Sequence, residues 1–479
     1  MWSSRSNKLA IKSPVLPGSF GMEGRSLEQT IFALATPQGR GGIAVIRISG
    51  PMARAVLEAV FDTKASIRPR MLHYGHIRNQ DGAMLDEAMA VYMPAPHTYT
   101  REDVVELQLH GSLAVVHDVL QLLCELPLGL RPAQPGEFTR RAFENGRIDL
   151  SQAEAVMELI GAESQRAAHS SLLQLQGSVS SAVHALIDDL THALACIEAG
   201  VDFPEDDWEE EANAEGFAQL QAVYVRAASL RESYRSGRLL QEGVRCAIVG
   251  RPNVGKSSLL NAAAGFERAL VAQEAGTTRD VVEHAIALDG VTLRLFDTAG
   301  MRAEAQGVES RGMALGQRQI AQADVAIWVV DASMPLQQDD ALACAQLSGV
   351  PVVIALNKSD LPAHLTAEAV AAQCPQALGV HRCCANTGEG VQALLRAVLA
   401  AAGVGEQHQE CITNARHAEV LSRACTLLHA SLQAYADGIP ADIAASDARE
   451  ALRALGEITG QTLDDDVIAR IFAQFCVGK

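Results

Sequence analysis

At 479 residues the chain exceeds what a single hydrophobic core supports, and length alone points to roughly two to four domains. Hydrophobic residues make up 48% and charged residues 20%, a globular balance, and no apolar run approaches the ~20 residues that cross a bilayer, which speaks against a membrane-spanning protein or a membrane partner. With 39 Lys and Arg against 57 Asp and Glu the net charge is −18, so bulk electrostatics repel nucleic acid and any RNA contact must be local.

In chain order, residues 1–25 carry Arg5, Lys8, Lys12 and Arg25 without an apolar stretch of signal-peptide length, and read as a disordered extension. Met22 lies just before the first strand-like segment, so a downstream start would explain that extension. Residues 26–146 read as a mixed α/β domain. It opens with a hairpin, Thr30 to Ala35 and Ile43 to Ile48 around Gly39-Arg40-Gly41-Gly42, and continues through alternating helix and strand signals to Leu126. Residues 147–241 form the first part of a helical domain. From Leu150 apolar residues recur at three- and four-residue spacing without proline, and Ser151 with Glu154 is the expected capping box. The helices should stop at Asp202-Phe203-Pro204, where the acidic run through Glu211 reads as a solvated loop. Residues 242–404 switch to short β runs alternating with helices, the rhythm of a doubly wound, mostly parallel sheet. Residues 405–479 return to helix, so the α/β unit is expected as an insertion into a discontinuous helical domain. The fold class is therefore α/β plus all-α. The ten cysteines are scattered, with no C-x-x-C pair, which favours reduced thiols and a cytoplasmic location. Adjacent Cys383 and Cys384 would face opposite sides of a strand and so serve packing rather than a shared metal.

The chemistry is concentrated in the inserted unit. The strand Arg245 to Val249 runs into Gly250-Arg251-Pro252-Asn253-Val254-Gly255-Lys256-Ser257 and then a helix from Ser258, the strand–loop–helix setting that G-x-x-x-x-G-K-[ST] requires. Glycines let backbone N–H groups wrap phosphates at a helix N-terminus; Lys256 would reach the β and γ oxygens and Ser257 would hold Mg²⁺. Gly276-Thr277-Thr278 sits where a first switch loop belongs, with Thr278 placed to close on Mg²⁺. Asp297-Thr298-Ala299-Gly300 supplies an acid behind the metal and a glycine that can sense the γ-phosphate. In Asn357-Lys358-Ser359-Asp360 the final carboxylate accepts from guanine N1 and N2, which adenine cannot supply, so the base is guanine. Cys384-Ala385-Asn386 stands beside the base in place of Ser-Ala-Lys. The residue after Gly300 is Met301, which cannot orient water as the glutamine of small GTPases does; Arg302, Glu304 and Glu309 are the nearby candidates. Asn253 could coordinate a monovalent cation against the phosphates, or make a simple loop hydrogen bond.

With its flanks the chain, from about Gln29 to Lys479, resembles the MnmE (TrmE) family of tRNA-modification GTPases, within the Era-like P-loop GTPases. The resemblance rests on Ala35-Thr36-Pro37-Gln38-Gly39-Arg40-Gly41-Gly42, Arg47-Ile48-Ser49-Gly50, Tyr99-Thr100-Arg101-Glu102-Asp103-Val104-Val105-Glu106, Arg131 to Thr139, Asp149 to Ala155, Asp202-Phe203-Pro204-Glu205 and the terminal Cys476-Val477-Gly478-Lys479. It implies an N-terminal domain that binds 5-formyl- or 5,10-methylene-tetrahydrofolate and forms a homodimer. It also implies installation of a carboxymethylaminomethyl or aminomethyl group on C5 of the wobble uridine (U34) of certain tRNAs, together with the flavoprotein MnmG, and GTP hydrolysis that needs K⁺ and pairing of two G domains. By position, the folate contacts fall on Arg47, Glu106, Arg147 and Lys479, and Glu309 becomes the water-orienting residue. Asn253, Ala272, Glu274 and Thr277 become the K⁺ contacts, and the nucleotide-binding set extends over Ser258, Gln273 and Ala275. The chain departs from the family pattern at Arg101 and Ser112, where Gly is usual, and at Arg147, where Lys is common. Cys476 could act as a nucleophile on uracil C6 or as a buried thiol that positions the tail. Two rivals are a ribosome-assembly switch, expected to carry a basic RNA-binding domain after the G domain, and a GTP-regulated folate aminomethyltransferase that does not act on tRNA.

Overall fold

The computed structural model of the protein describes residues 29–202, 208–266, 283–297, 320–404 and 411–478. The chain divides into two units, residues 1–147 with 470–479, and residues 148–469. The expected extension 1–25 lies outside the described residues, as do residues 203–207 of the acidic run; its remainder, Glu209, Glu210 and Glu211, belongs to the helix Trp208–Glu232 rather than to the expected loop.

The first unit is built on a seven-stranded sheet. β1 (Ile31–Leu34) and β2 (Ile43–Ser49) form the antiparallel hairpin expected from sequence, and β6 (Val104–His110) lies on the other side of β2. The alternation in β2 buries Ala44, Ile46 and Ile48, and Ile46 and Ile48 join a core with Leu107, Leu109 and residues of α1 (Ala53–Val60). Val56, Leu57 and Val60 of α1 fill that core at the 3.6-residue period. Val45 and Arg47 point to the opposite, open face, where Tyr74, Met89, Gln108 and Val45 form one cross-strand row. Tyr74, Met84, Met89 and Ile43 on this side of the unit are exposed. Strand His73–Arg78, which contributes Tyr74, is weakly marked in the sequence because its buried alternate positions are His73, Gly75 and Ile77, only one of which is a strongly apolar strand former. The tail from Arg470 packs into this unit: Phe472 and Phe475 are buried, and Gly136 N–H donates to the Cys476 carbonyl at 3.3 Å. Gly478, at φ +98°, sits so close to Leu34 that an added Cβ would lie 2.2 Å from its carbonyl oxygen.

In the second unit the helical run from Leu150 is broken at Ala162–Ser164 and at Gly177 into α4 (Leu150–Gly161), α5 (Gln165–Leu175) and α6 (Ser178–Asp202). The capping box lies two residues earlier than expected. Asp149, in extended backbone, accepts from Gln152 N–H at 2.9 Å, and Gln152 Oε1 accepts from Asp149 N–H at 3.0 Å. Ser151 instead donates to Asp149, and Glu154 is buried, accepting from both Arg416 nitrogens at 2.8 and 2.7 Å and contacting His417 Nε2 at 2.7 Å. That cluster joins α4 to a helix that follows the α/β unit in sequence. Among the described residues no helix is long and apolar enough to cross a membrane.

The α/β part has a six-stranded sheet in the order β13 (Ala377–Arg382), β12 (Val352–Asn357), β11 (Val325–Asp331), β8 (Val244–Val249), β10 (Val291–Asp297), β9 (Glu283–Leu288), parallel except for the β9–β10 pair at one edge. All seven residues of β11 (Val325–Asp331) are buried, as a central parallel strand covered on both faces requires. β8 (Val244–Val249), β10 (Val291–Asp297), β11, β12 (Val352–Asn357) and β13 (Ala377–Arg382) bring their C-terminal ends to one edge, where ligands bind in such sheets. The α/β plus all-α fold class read from sequence is the one observed.

Candidate nucleotide site and a second charged site

A cavity of about 540 Å³ opens at that strand edge, lined by Pro252, Asn253, Gly255, Lys256, Ser257, Ser258, Asp297, Asn357, Lys358, Asp360, Cys384, Ala385 and Asn386. Thirteen residues from four separated segments meet there. Pro252 is the only member that sequence reasoning did not select as a ligand residue, while Val254, which it did select, turns its side chain into the core.

The loop after β8 is shaped by what its neighbours leave room for. Gly250 lies where an added Cβ would meet the Val329 carbonyl oxygen at 2.5 Å, and Gly255, at φ +99°, where it would meet Asn357 Nδ2 at 2.3 Å. Asn253 adopts φ +64°, the left-handed region that asparagine tolerates. The loop then enters α9 (Lys256–Phe266), whose first N–H groups have no intrahelical partner and favour an anion. Lys256 is 6% exposed, and its ammonium donates to the carbonyls of Gly250 at 3.0 Å and Arg251 at 2.9 Å.

On the cavity floor Ser257 Oγ lies 3.4 Å from Asp297 Oδ2. A hydroxyl and a carboxylate side by side are oxygen donors of the kind Mg²⁺ takes, so this pair fits that ion. At the other end Asn357 is buried and braces the site: it donates to the Val254 carbonyl at 2.8 Å and accepts from Ala385 N–H at 3.0 Å. Lys358, at φ +62°, pairs with Asp331 at 2.6 Å. Burial pushes the Asp331 carboxyl up, but hydrogen bonds from Lys358 and Ser333 outweigh it and hold the group below its usual range. Asp360 is exposed and accepts from the Cys384 thiol at 3.1 Å, a contact that serine would make in the commoner sequence. Cys383 and Cys384 follow β13 rather than lying within it, which corrects the strand-face expectation; both are buried, and burial pushes the Cys383 thiol up to about 12. Among the described residues no group of three or more His, Cys, Asp or Glu is arranged to hold a metal. Ala272, Gln273, Glu274, Ala275, Gly276, Thr277, Thr278, Thr298, Ala299, Gly300, Glu309 and Lys479 lie outside the described residues.

The first unit gathers a different set. Arg47 and Glu106 are paired directly across β2 and β6, and their side chains form an ion pair at 2.8 Å, each about one-fifth exposed. Arg47 also stands 5.6 Å from the Tyr99 ring centre and 5.8 Å from that of Phe138. Arg147 stacks over Tyr99 at 4.7 Å and donates to its carbonyl at 3.0 Å. Two of the four residues implied by the resemblance, Arg47 and Arg147, thus meet one aromatic ring, and Glu106 joins them through Arg47; Tyr99 itself was not among the residues expected to bind. Beneath it, the fully buried Arg141 pairs with Glu102 and Glu137, and the Tyr99 hydroxyl contacts Thr139 at 2.9 Å. Burial pushes Glu137 up, yet hydrogen bonds from Arg131 and Gln134 leave it lowered overall. A flat aromatic face flanked by two guanidiniums and a carboxylate fits a planar heterocycle carrying an anionic tail. Cys476 is exposed, which removes the buried-thiol alternative.

Known proteins match along nearly the whole chain. The family model described as GTP-binding protein TrmE N-terminus covers residues 30–147, and the MnmE helical domain model covers 150–476. The protein described as tRNA modification GTPase MnmE from Moorella thermoacetica is 42% identical over 469 residues, covering 95% of this chain and 100% of its own. Those of Geobacter sulfurreducens and Sodalis glossinidius, of the same description, are 39% and 40% identical over 95% of this chain and all of theirs. The chain belongs to the MnmE family of tRNA modification GTPases and is a GTP-hydrolysing enzyme.

Proposed function

We propose that GTP hydrolysis by this chain drives a tetrahydrofolate-dependent modification at C5 of the wobble uridine (U34) of certain tRNAs, carried out together with a flavoprotein of the MnmG type. The observation that carries this is the presence, in one chain, of a guanine-type cavity and of the Arg47–Glu106–Tyr99–Arg147 cluster. The description of the relatives as tRNA modification GTPases supports tRNA as the acceptor.

In this reading residues 26–146 bind folate and dimerise, 147–241 and 405–479 make the helical domain, and 242–404 are the G domain. Asp360 selects guanine; Lys256 and the N–H groups at the start of α9 receive the phosphates. Ser257 and Thr278 would hold Mg²⁺, and Asn253, Ala272, Glu274 and Thr277 would hold K⁺; both ions supply positive charge at the phosphates. Glu309 orients the attacking water. In the other site Arg147 and Tyr99 take a ring face, Glu106 offers its free oxygen to an amide–amino edge, and Arg47 with Lys479 takes the anionic tail; the bound folate supplies the one-carbon unit. The open sheet face with Ile43, Tyr74 and Met89 supports a homodimer formed through this domain. Scattered cysteines support a cytoplasmic location.

Two expected results follow from this assignment. GTP turnover should be about tenfold or more faster in K⁺ than in Na⁺ at equal ionic strength, because a fitted cation meets charge that develops on the phosphates; equal rates would remove the cation role of Asn253. Mass spectrometry of tRNA nucleosides from cells lacking the protein should show wobble uridine without its C5 substituent, and a normal nucleoside profile would rule the reading out.

A further inference from the structure

Asp340 lies in the first turn of α10 (Gln338–Ala345), 1% exposed, and no partner in the nucleotide cavity accounts for it. One carboxylate oxygen, Oδ2, accepts from Gln337 N–H at 3.0 Å, completing the capping box that starts the helix, and lies 3.2 Å from Arg251 Nε in an ion pair whose alignment makes no hydrogen bond; Asp340 Oδ1 and Arg251 Nε are both buried without a hydrogen-bond partner. A buried carboxylate kept with an unsatisfied oxygen is costly unless its charge is used. The charge it meets belongs to Arg251, the second residue of the phosphate loop, whose guanidinium is only 12% exposed.

Arg251 reaches the chemistry through its backbone. Its carbonyl, with that of Gly250, is what the Lys256 ammonium is hydrogen-bonded to. Pro252 follows it and Asn253 is in the left-handed region, so the loop has little freedom to reorient without moving Arg251. We propose that Asp340 is a positioning residue for GTP hydrolysis: by gripping Arg251 from α10 it fixes the two carbonyls that hold Lys256, and so presets the phosphate loop before nucleotide arrives. This rests on the nucleotide reading above and adds to it a residue more than 80 positions downstream of the loop it controls. Neither Asp340 nor Arg251 lines the cavity, so Asp340 acts through Arg251 and Lys256 rather than on GTP.

The test compares steady-state GTP hydrolysis by the full chain with Asp340→Asn, Arg251→Met, Arg251→Lys and the double variant Arg251→Met/Asp340→Asn, with Lys256→Ala as control. Asp340→Asn keeps the volume and an oxygen for Gln337 N–H while removing the charge. Thermal melting and circular dichroism are measured alongside. The expected result is a fall in kcat/KM of about tenfold or more for Asp340→Asn and Arg251→Met, the scale of loss from a small misplacement of a reacting group. Arg251→Lys, which keeps the charge, should recover most of it. The double variant should be no worse than either single one, because the two residues act as a unit. The loss should persist at temperatures well below melting. Wild-type kinetics in Asp340→Asn, additive single effects, or a lowered melting temperature with unchanged kcat/KM would each overturn the proposal. If Asp340→Asn fails to fold, the Arg251→Met and Arg251→Lys pair decides alone. Unimpaired hydrolysis in Lys256→Ala would instead overturn the nucleotide reading itself.

Discussion

Asp360→Asn is expected to exchange the nucleotide preference of this enzyme from GTP to XTP, lowering kcat/KM for GTP by about two orders of magnitude or more. The carboxylate sits at the mouth of the cavity, exposed, with the Cys384 thiol on one oxygen and Asn357 and Lys358 bracing the segment behind it. Against guanine it accepts from N1–H and from the 2-amino group. Each such charge-assisted bond is worth about 1.5–3 kcal/mol; the asparagine amide loses one of them, weakens the other by removing the charge, and sets a donor against the 2-amino donor, which together is worth about a hundredfold or more. An asparagine amide turns one of those positions into a donor, which matches the 2-oxo group of xanthine while its oxygen still accepts from N1–H. The variant should therefore hydrolyse XTP near the wild-type rate for GTP, and its melting temperature should be unchanged, since an exposed carboxylate with one thiol contact stabilises little. Unaltered GTP kinetics would mean that the base is not read at this position.

The second large effect is on stability. Glu154→Ala should lower the unfolding free energy by about 3–5 kcal/mol, the range for removing one partner of a buried ion pair. Glu154 is nine-tenths buried between α4 and α13 (Ala415–Ala436), and its loss leaves the Arg416 guanidinium without its counter-charge and the fully buried His417 without the partner of its Nε2. Replacing Glu154 and Arg416 together by Leu and Met should cost less than Glu154→Ala alone, because the guanidinium is then not left buried without its carboxylate. Acid denaturation provides an independent check. Burial raises the Glu154 carboxyl, but His417 and Arg416 prevail and take it from 4.5 down to about 2. A group lowered on folding contributes stability above its unfolded value and loses it as pH falls through the folded one. The Glu154 share, about 3 kcal/mol at 1.36 kcal/mol per pH unit, should therefore disappear between about pH 4.5 and 2. Neighbouring Glu158 behaves oppositely: burial dominates and holds it above its ordinary value despite the Thr413 hydroxyl at 2.5 Å. Its contribution is present at low pH and fades as pH rises, so Glu158→Gln should leave the acid limb in place, whereas Glu154→Ala should remove much of it. Denaturant melts at a series of pH values separate the two.

The phosphate loop, the guanine-selecting segment and the parallel sheet were legible because each is set by local rules. A loop wedged between Val329 and Asn357 must have Gly250 and Gly255, and a strand buried on both faces must read as an apolar run. Contacts made over long separations left no such trace. Glu154 meets Arg416 and His417 from 262 and 263 residues away, so the sequence offered a local cap for Glu154 and the fold used it otherwise. The cap itself went to Asp149, a stronger N-cap than the serine two residues on, since its carboxylate also favours the positive end of the helix. Tyr99 and Phe138 escaped selection for a related reason. An aromatic in a mixed α/β segment reads as core, and only the cross-strand register of Arg47 with Glu106, together with the turn that brings Arg147 back, shows that the ring faces charge.

Coupling of guanine-nucleotide hydrolysis to tRNA modification is tested most directly in a reconstituted reaction. Purified protein, a flavoprotein of the MnmG type, tetrahydrofolate donor, K⁺, Mg²⁺ and a tRNA transcript with unmodified wobble uridine are combined, and C5 modification is read by mass spectrometry. The wild-type chain should modify the transcript with GTP and not with GDP or a non-hydrolysable GTP analogue, whereas Asp360→Asn should do so with XTP and not with GTP. Modification that proceeds equally without hydrolysable nucleotide, or that is indifferent to the base in Asp360→Asn, would contradict it.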